Sequence, residues 1–315
     1  DTQNEVFKTP VNKIRLFEHG APGSQNLKLT RKYYTEDMPD GRVKHIVQNI
    51  TDPDMVPYIP DGIGNSTDRQ RIPAVLIIPG GAFRRLVYNF EGEDVAKWLN
   101  SMGIAAFVLE CRLPSDEHDN AEDVPLIDAM RAMRVIRGRA QEFGIDEAKI
   151  GVMGFSAGGF MAALLSTAYE SDVYADYKYK DEYDKLSARP DFAVCSYPVI
   201  SIDDCIEAGK RYMSEEQVLE RISDSKAKIL HKYNPDKLVR PDMPPVFICE
   251  TDDDRTTLSE NSVGFYMAAR KAGVSAELHI FRTGGHGYGC GDDFAQTGEW
   301  KVLFTKWIKS IGIIS

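Results

Sequence analysis

The sequence predicts an α/β fold in which a mostly parallel, doubly wound sheet of about eight strands carries helices on both faces. From Ile72 onward, short apolar runs alternate with stretches of helical spacing. The runs PAVLIIPG (73–80) and IAAFVLECRL (104–113) are almost continuously apolar, which is typical of parallel strands buried on both faces. Between them, FEGEDVAKWLNSMG (90–103) repeats apolar residues every three or four positions and ends at a glycine, which predicts a helix.

The same alternation continues to the end of the chain. Further helices are predicted over 121–144, 157–169, 259–273 and 298–312, and further strands over 149–156, 192–200, 244–252 and 276–283.

Residues 1–70 follow a different pattern. The segments KIRLFEHG, LKLTRKYY and RVKHIVQNI are short, alternate polar and apolar residues, and are split by Pro and Gly. We expect them to form antiparallel strands at the leading edge of the sheet. The chain, 1–315, is interpreted as a single domain that is interrupted by a Tyr- and charge-rich stretch at 169–190 and a polar, partly helical insertion at 201–243. Both suit solvated surface excursions, and a small cap over the site is the alternative.

Charge narrows the class of partner. The 315 residues carry a formal net charge of −10, which disfavours nucleic acid and anionic membranes because both attract basic surfaces. No apolar run approaches the roughly 20 residues that span a bilayer. We therefore expect no nucleic-acid partner and no membrane insertion, and the sequence carries no signal for an oligomeric state.

The five cysteines point away from a disulfide framework, because their number is odd and their spacing irregular. Cys111, Cys195 and Cys249 lie inside apolar runs and are expected to be buried thiols. The chain opens on Asp1 rather than Met, which is compatible with removal of a leader. A secreted or periplasmic protein is expected, with a cytoplasmic one as the alternative.

A nucleophile motif joins a predicted strand to a predicted helix. Gly154-Phe155-Ser156-Ala157-Gly158 matches G-x-S-x-G, in which a sharp strand-to-helix turn exposes a serine hydroxyl. An apolar strand enters the motif and an Ala/Leu-rich helix leaves it, as that turn requires. Ser156 is therefore the candidate nucleophile, and a serine that merely caps the helix is the alternative.

A serine needs a base, and the base needs an orienting acid. Of the six histidines, His286 lies in the Gly-rich loop directly after the last predicted strand, whereas His279 lies within that strand and is expected to be structural. The preceding strand leads into the three consecutive aspartates 252–254. The order Ser, acid, His is the one expected when such a turn carries the nucleophile.

The transition state needs two N–H donors for its oxyanion. One should be the N–H of Ala157, and the other should come from Pro79-Gly80-Gly81-Ala82-Phe83, which follows a predicted strand. A plain turn is the alternative for that loop. A metal site built from the three aspartates and a histidine has no supporting HxxxH or CxxC spacing, so no metal is expected.

These motifs, in register over roughly 70–310, resemble the esterase group of the α/β-hydrolases that includes carbohydrate acetyl esterases and feruloyl-esterase-like proteins, often labelled xylanases. The quoted segments are IIPGGAFRRL, EGEDVAKWLNSMGIAAFVLECRLPSD, PLIDAMRAMRVIRGRAQEFGID, IGVMGFSAGGFMA, PPVFICETDDD and ELHIFRTGGHGYG. The resemblance implies Ser156 as nucleophile and His286 as general base. It also implies Gly81, Ala82 and Ala157 as the oxyanion-hole donors.

The same resemblance selects the acid. In the family an acidic residue follows a strand-end His by four positions and precedes a Pro by four, and these anchors correspond to Glu250 and Leu258. Both select Asp254, with Asp253 as the runner-up. The chain departs from the family at both anchors, and Thr256 and Thr257 replace a common Val-Val pair.

Four further residues are candidates for binding substrate. Phe83, Tyr88 and Tyr288 lie on loops that lead to the expected site, and their rings would crowd the acyl side and favour acetyl groups. Arg84 is a candidate for a substrate oxygen or carboxylate, and an ordinary exposed arginine is the alternative.

The sequence thus predicts a serine esterase that needs no cofactor and forms an acyl-enzyme. The resemblance implies an acylated oligosaccharide or small ester as substrate, with acetylated sugars of plant cell walls preferred. Two alternatives remain: a peptidase like the prolyl oligopeptidases, and a non-catalytic binding protein on a hydrolase scaffold.

Overall fold

The computed structural model describes residues 7–63, 71–211, 213–222, 225–291 and 295–315. Its strands, in chain order, are β1 (Ile14–Arg15), β2 (Lys32–Asp37), β3 (Val43–Gln48), β4 (Asp54–Tyr58), β5 (Ile72–Ile78), β6 (Leu86–Val87), β7 (Ala105–Glu110), β8 (Ile145–Phe155), β9 (Ala193–Ser196), β10 (Val246–Thr251) and β11 (Ala276–Phe281). Its helices are α1 (Asp94–Ser101), α2 (Val124–Gly138), α3 (Ala140–Phe143), α4 (Ala157–Ala168), α5 (Ile202–Lys210), α6 (Glu215–Ile222), α7 (Ser225–Lys232), α8 (Ser259–Lys271) and α9 (Glu299–Ser310).

The main sheet confirms the predicted α/β fold. Eight strands follow the order β1-β4-β7-β5-β8-β9-β10-β11, and the six from β7 to β11 are parallel. Strands β7, β9 and β10 are buried along their whole length, because helices cover both faces and leave no solvated side. Cys195 and Cys249 are buried there, as expected for core thiols.

The sheet brings four chain segments to one edge. Ile78 at the end of β5 pairs with Gly154, and Phe155 at the end of β8 pairs with Ser196. Thr251 at the end of β10 pairs with Phe281 at the end of β11. The carboxyl ends of parallel strands form the ligand-binding edge of an open α/β sheet, so the loops that follow these strands converge there.

The N-terminal region differs in part from the expectation. Strands β1 and β4 form the antiparallel edge of the main sheet, but β2 and β3 pair with each other and with β6 in a separate three-stranded sheet. The burial of the strands explains why β4, and not β2 or β3, joins the main sheet. In β4, Met55 and Val56 are completely buried and match the apolar face of β7, whereas the charged strand KYYTED of β2 stays half-exposed and suits an outer layer.

The two irregular stretches are both attached to the body of the fold. The Tyr-rich stretch at 169–190 is tied to α2, since Arg131 forms ion pairs with Asp181 at 2.5 Å and Asp184 at 3.1 Å. The insertion at 201–243 contains α5 to α7 and begins where the N–H groups of Ile200 and Ser201 donate to Asn261. A capping role for either stretch stays a prediction. Within the residues described, no helix has the length and apolar character to cross a membrane.

Candidate active site

Ser156 occupies a sharp turn between β8 and α4. Its backbone has φ 55° and ψ −117°, a strained conformation that places the side chain outside the helix it precedes. The turn is tight enough that a Cβ on Gly154 would overlap the carbonyl oxygen of Gly158, and one on Gly158 would overlap that of Ile78. The residue is 9% exposed. This is the geometry of a nucleophile elbow, which needs small residues on both sides of the serine.

The structure brings Ser156, His286 and Asp254 into one hydrogen-bonded chain. The Ser156 Oγ lies 2.9 Å from His286 Nε2, and His286 Nδ1 lies 2.6 Å from Asp254 Oδ2. Because a carboxylate can only accept, Nδ1 carries the imidazole proton and Nε2 is left to accept from the serine hydroxyl. The His286 side chain is 21% exposed, whereas that of Asp254 is buried. Solvent and substrate can therefore reach the His286 end of this hydrogen-bonded chain but not the Asp254 end.

Asp254 is held ionised by its surroundings. The N–H groups of Thr256 and Thr257 donate to its Oδ1 at 2.7 and 2.9 Å, and the Thr257 hydroxyl donates to its Oδ2 at 3.0 Å. Burial alone would raise the pKa of Asp254, but the hydrogen bond and charge of His286, with the two backbone donors, lower the pKa below its ordinary value. A carboxylate at this position can stabilise an imidazolium.

The two neighbouring aspartates point elsewhere. Asp253 is exposed, and its Oδ1 accepts hydrogen bonds from the N–H groups of Gly284 and Gly285 at 2.9 and 2.8 Å. Asp252 is exposed, and its backbone N–H donates to the carbonyl of Phe281. Asp253 thus supports the start of the loop that carries His286, while Asp254 alone of the three contacts the imidazole.

The loop after β5 has a strained backbone. Gly81, Ala82 and Phe83 all have positive φ, at 141°, 57° and 61°, and the two non-glycine residues cost about 1–3 kcal/mol each. A Cβ on Gly80 would stand 3.0 Å from the Cβ of Ser156, so the loop packs directly on the elbow. Among the residues that the structure describes, none accepts a hydrogen bond from the N–H of Gly81, Ala82 or Ala157.

The four candidate substrate-binding residues have different environments. Tyr88 is only 1% exposed and its hydroxyl lies 2.9 Å from that of Tyr58, so the expectation of a ring open to the acyl side is corrected. Phe83 is buried edge-to-face against Phe160 and lines a small cavity beside the loop after β5.

The other two lie nearer the surface. Tyr288 is half-buried and borders an open groove beside His286. Arg84 is exposed on the loop after β5, where its backbone N–H donates to Gly81. Contact of either side chain with substrate stays a prediction.

Three residues beside the site were missed by the sequence reasoning. Thr257 donates to Asp254, as described above. Glu91 is buried, with its carboxylate between the Gly80 N–H and the Tyr197 hydroxyl. Tyr197 also places its ring edge-to-face against His286, with 5.0 Å between centroids. A hydroxyl three residues after the acid was a usable signal for Thr257, whereas nothing local marks Glu91 or Tyr197.

Glu250 and His279 are two further ionisable residues, on the last two strands of the sheet. Glu250, at the end of β10, is completely buried, and burial together with the charge of Asp254 raises its pKa well above the ordinary value. His279 in β11 lies 2.7 Å from Glu277 on the same strand, and its structural role stays a prediction. Over the described part of the chain, no group of three or more His, Cys, Asp or Glu side chains is arranged to hold a metal ion.

The chain is similar in sequence to known proteins. The BD-FAE family model matches residues 63–268. An acetylxylan esterase of Xylanibacter ruminicola is 31% identical over 240 residues, covering 76% of this chain and 45% of that protein. The endo-1,4-beta-xylanase B of Butyrivibrio fibrisolvens is 29% identical over 269 residues, covering 83% and 40%. The chain spans less than half the length of these two curated relatives.

Solved structures match over nearly the whole chain. An acetyl ester-xyloside bifunctional hydrolase from Caldicellulosiruptor lactoaceticus has a TM-score of 0.71 and 35% identity, covering 96% of this chain and 97% of that one. A propionate-bound esterase from Thermogutta terrifontis has a TM-score of 0.65 and 23% identity, covering 93% and 96%, and supports the fold alone. The chain therefore belongs to the BD-FAE family and is an α/β-hydrolase related to carboxylic-ester hydrolases.

Proposed function

We propose that this protein hydrolyses carboxylic esters through an acyl-enzyme on Ser156. The observation that carries the proposal is the hydrogen-bonded chain from Ser156 through His286 to Asp254, built on a strained turn at the ligand-binding edge of the sheet. A serine that only capped α4 would direct its hydroxyl to a backbone N–H of that helix, and no such capping bond forms at Ser156.

The reaction follows from the donors and acceptors. His286 Nε2 takes the hydroxyl proton as Ser156 Oγ forms a bond to the ester carbonyl carbon, and Asp254 stabilises the resulting imidazolium. The tetrahedral intermediate collapses as Nε2 returns the proton to the leaving alkoxide, which departs as the alcohol. Water then attacks the acyl-enzyme with His286 again as base, and the acid is released while Ser156 regains its proton.

The oxyanion of both intermediates would rest on backbone N–H groups. Gly81, Ala82 and Ala157 are the proposed donors, because their N–H groups have no acceptor among the described residues and belong to the two segments that meet at Ser156. Loss of one such donor costs on the order of 10²–10³ in kcat in serine proteases. Their fixed backbone gives this stabilisation without reorganisation during the reaction.

A short acyl group, acetyl above all, is proposed as the part of the substrate that is transferred. An apolar cavity of about 20 Å³ lies beside the proposed donors, lined in part by Gly81, Phe83 and Ala157. A space of that size suits a methyl group rather than a long chain. The names of the relatives, an acetylxylan esterase and an acetyl ester-xyloside hydrolase, support acetylated plant cell-wall sugars as the class of alcohol.

An ester screen tests this proposal. Acetyl, butyryl and octanoyl p-nitrophenyl esters, acetylated xylo-oligosaccharides and a feruloyl ester would be compared with an aminoacyl p-nitroanilide and p-nitrophenyl xyloside. We expect acetyl esters to have the highest kcat/KM and acetate to be released from the oligosaccharide. Preference for octanoyl esters would contradict the small acyl site, and cleavage of the anilide without ester cleavage would favour a peptidase.

A further inference from the structure

Glu91 is a buried carboxylate with no part in the chemistry described so far. It is 4% exposed and belongs to a short π-helical segment, Asn89–Glu93, that precedes α1. Its Oε2 accepts a hydrogen bond from the backbone N–H of Gly80 at 2.8 Å, and its Oε1 accepts one from the Tyr197 hydroxyl at 2.9 Å. Burial of a carboxylate is costly unless such bonds compensate for lost water, so both contacts are needed where Glu91 lies.

The direction of the hydrogen bonds shows that Glu91 is an acceptor. The backbone N–H of Gly289 lies 3.0 Å from the Tyr197 hydroxyl oxygen and can only donate to it. The Tyr197 hydroxyl in turn donates its proton to Glu91 Oε1. Because the Gly80 N–H is also a donor only, both oxygens of Glu91 act as acceptors. Burial raises the pKa of Glu91, and the charge of His286 together with these two hydrogen bonds opposes that rise.

These bonds join the two loops on which catalysis would depend. Gly80 directly precedes the proposed oxyanion donors Gly81 and Ala82, and Gly289 lies three residues after His286 in the Gly-rich loop. The Gly289 carbonyl is held in turn by the indole N–H of Trp300 at 3.1 Å. The Glu91 carboxylate thus connects the loop after β5, which carries Gly80, to the loop that carries His286 and Gly289, and it does so through Tyr197.

We propose that Glu91 is a positioning residue for ester hydrolysis: its carboxylate fixes the oxyanion loop through Gly80 and the His286 loop through Tyr197. This inference rests on the proposed function. Glu91 exchanges no proton with substrate, because both of its oxygens already accept bonds from the protein. Its contribution is the alignment of donors that act fully only when charge develops on the substrate oxygen.

The variant Glu91→Gln tests the proposal with almost no change of shape. The amide of Gln has one acceptor oxygen, so it can keep the bond from Gly80 or the bond from Tyr197 as it is now, and the other bond is lost or reversed. We expect kcat to fall by about tenfold to a hundredfold, less than for outright loss of an oxyanion donor, with KM changed by less than about threefold. A role in folding alone would lower stability and leave kcat of the folded fraction unchanged.

A matched control and a second variant make the result specific. Glu110 is another fully buried carboxylate, paired with Lys13 and Arg31 at 2.7 Å each, so Glu110→Gln should lower the free energy of unfolding and keep kcat. Tyr197→Phe removes the hydroxyl that links Glu91 to Gly289 and should lower kcat as much as Glu91→Gln does. If Glu91 and Tyr197 act through the same hydrogen bond, the kcat of the double variant should be well above the value expected from multiplying the two single effects.

Each outcome decides the inference. Kinetics are measured on protein shown to be folded by near-UV circular dichroism, and if Glu91→Gln does not fold, Tyr197→Phe alone decides. A folded variant with wild-type kcat, or a multiplicative loss in the double variant, overturns the positioning role. Absence of ester turnover and of fluorophosphonate labelling in the wild-type protein would instead overturn the proposed function. The two failures are therefore distinguishable.

Discussion

Replacement of Asp254 by Asn is the substitution whose effect can be worked out most completely from the structure. The Oδ1 of Asp254 accepts two backbone N–H groups, from Thr256 and Thr257. In Asp254→Asn the carbonyl oxygen must keep that position, because an amide NH₂ there would face two donors. The NH₂ group therefore lands where Oδ2 now contacts His286 Nδ1.

An NH₂ group in that position reverses the imidazole. Nδ1 of His286 becomes the acceptor, and the proton moves to Nε2, where it faces Ser156 and cannot be replaced by the serine proton. The same change lowers kcat by about 10⁴ in serine proteases. We expect a loss of at least about 10² here, or about 2.7 kcal/mol of transition-state stabilisation.

The assay is steady-state hydrolysis of p-nitrophenyl acetate, with Asp252→Asn as the matched control. Asp252 is exposed and its side chain lies outside the hydrogen-bonded chain, so the control should stay within a few-fold of wild type. An Asp254→Asn protein with kcat within tenfold of wild type would refute the reasoning. So would an inactive Asp253→Asn protein alongside an active Asp254→Asn protein.

Two further predictions concern the neighbours of this chain. Asp253→Ala should lower kcat about tenfold, because the N–H groups of Gly284 and Gly285 lose their acceptor and the loop that carries His286 is less well held. Asp253→Asn keeps a carbonyl acceptor and should be close to wild type, and equal kcat values for the two variants would contradict this. Burial and the charge of Asp254 raise the pKa of Glu250 well above its ordinary value. The folded state therefore favours the neutral form of Glu250, and the resulting stabilisation is complete below the unfolded-state pKa of about 4.3. This stabilisation is lost as pH rises through the folded-state pKa. Urea unfolding between about pH 5 and 8 should show a steeper loss of unfolding free energy with pH for wild type than for Glu250→Gln, and parallel curves would contradict it.

The sequence could indicate the site residues that carry local signatures. Ser156 and His286 each lie directly after a predicted strand and among glycines, and both patterns reflect what the backbone must do there. The choice of Asp254 among the three aspartates came from the family resemblance, and the structure places Asp254 against the imidazole. Topology then explains why these residues meet, since parallel strands end at one edge of the sheet.

The residues that could not be predicted depend on contacts between distant segments. Glu91 resembles an ordinary acidic residue at a helix start, and only the packing of β5 and β9 on either side of β8 brings Gly80 and Tyr197 to it. Tyr88 was predicted to line the site, and that prediction was wrong because its partner Tyr58 lies on β4, a strand that the sequence pattern did not reveal. The placement of β2 and β3 outside the main sheet likewise depends on contacts between distant segments.

The nucleophile itself offers the most direct measurement of the central claim. Ester turnover and fluorophosphonate labelling would be compared in the wild-type protein and Ser156→Ala, with labelled peptides assigned by mass spectrometry. We expect the label on Ser156, a loss of kcat on the order of 10⁶ in the variant, and unchanged circular dichroism because the side chain makes no capping bond to α4. A folded Ser156→Ala protein that retained more than about a hundredth of wild-type kcat, or a label on another residue, would contradict it.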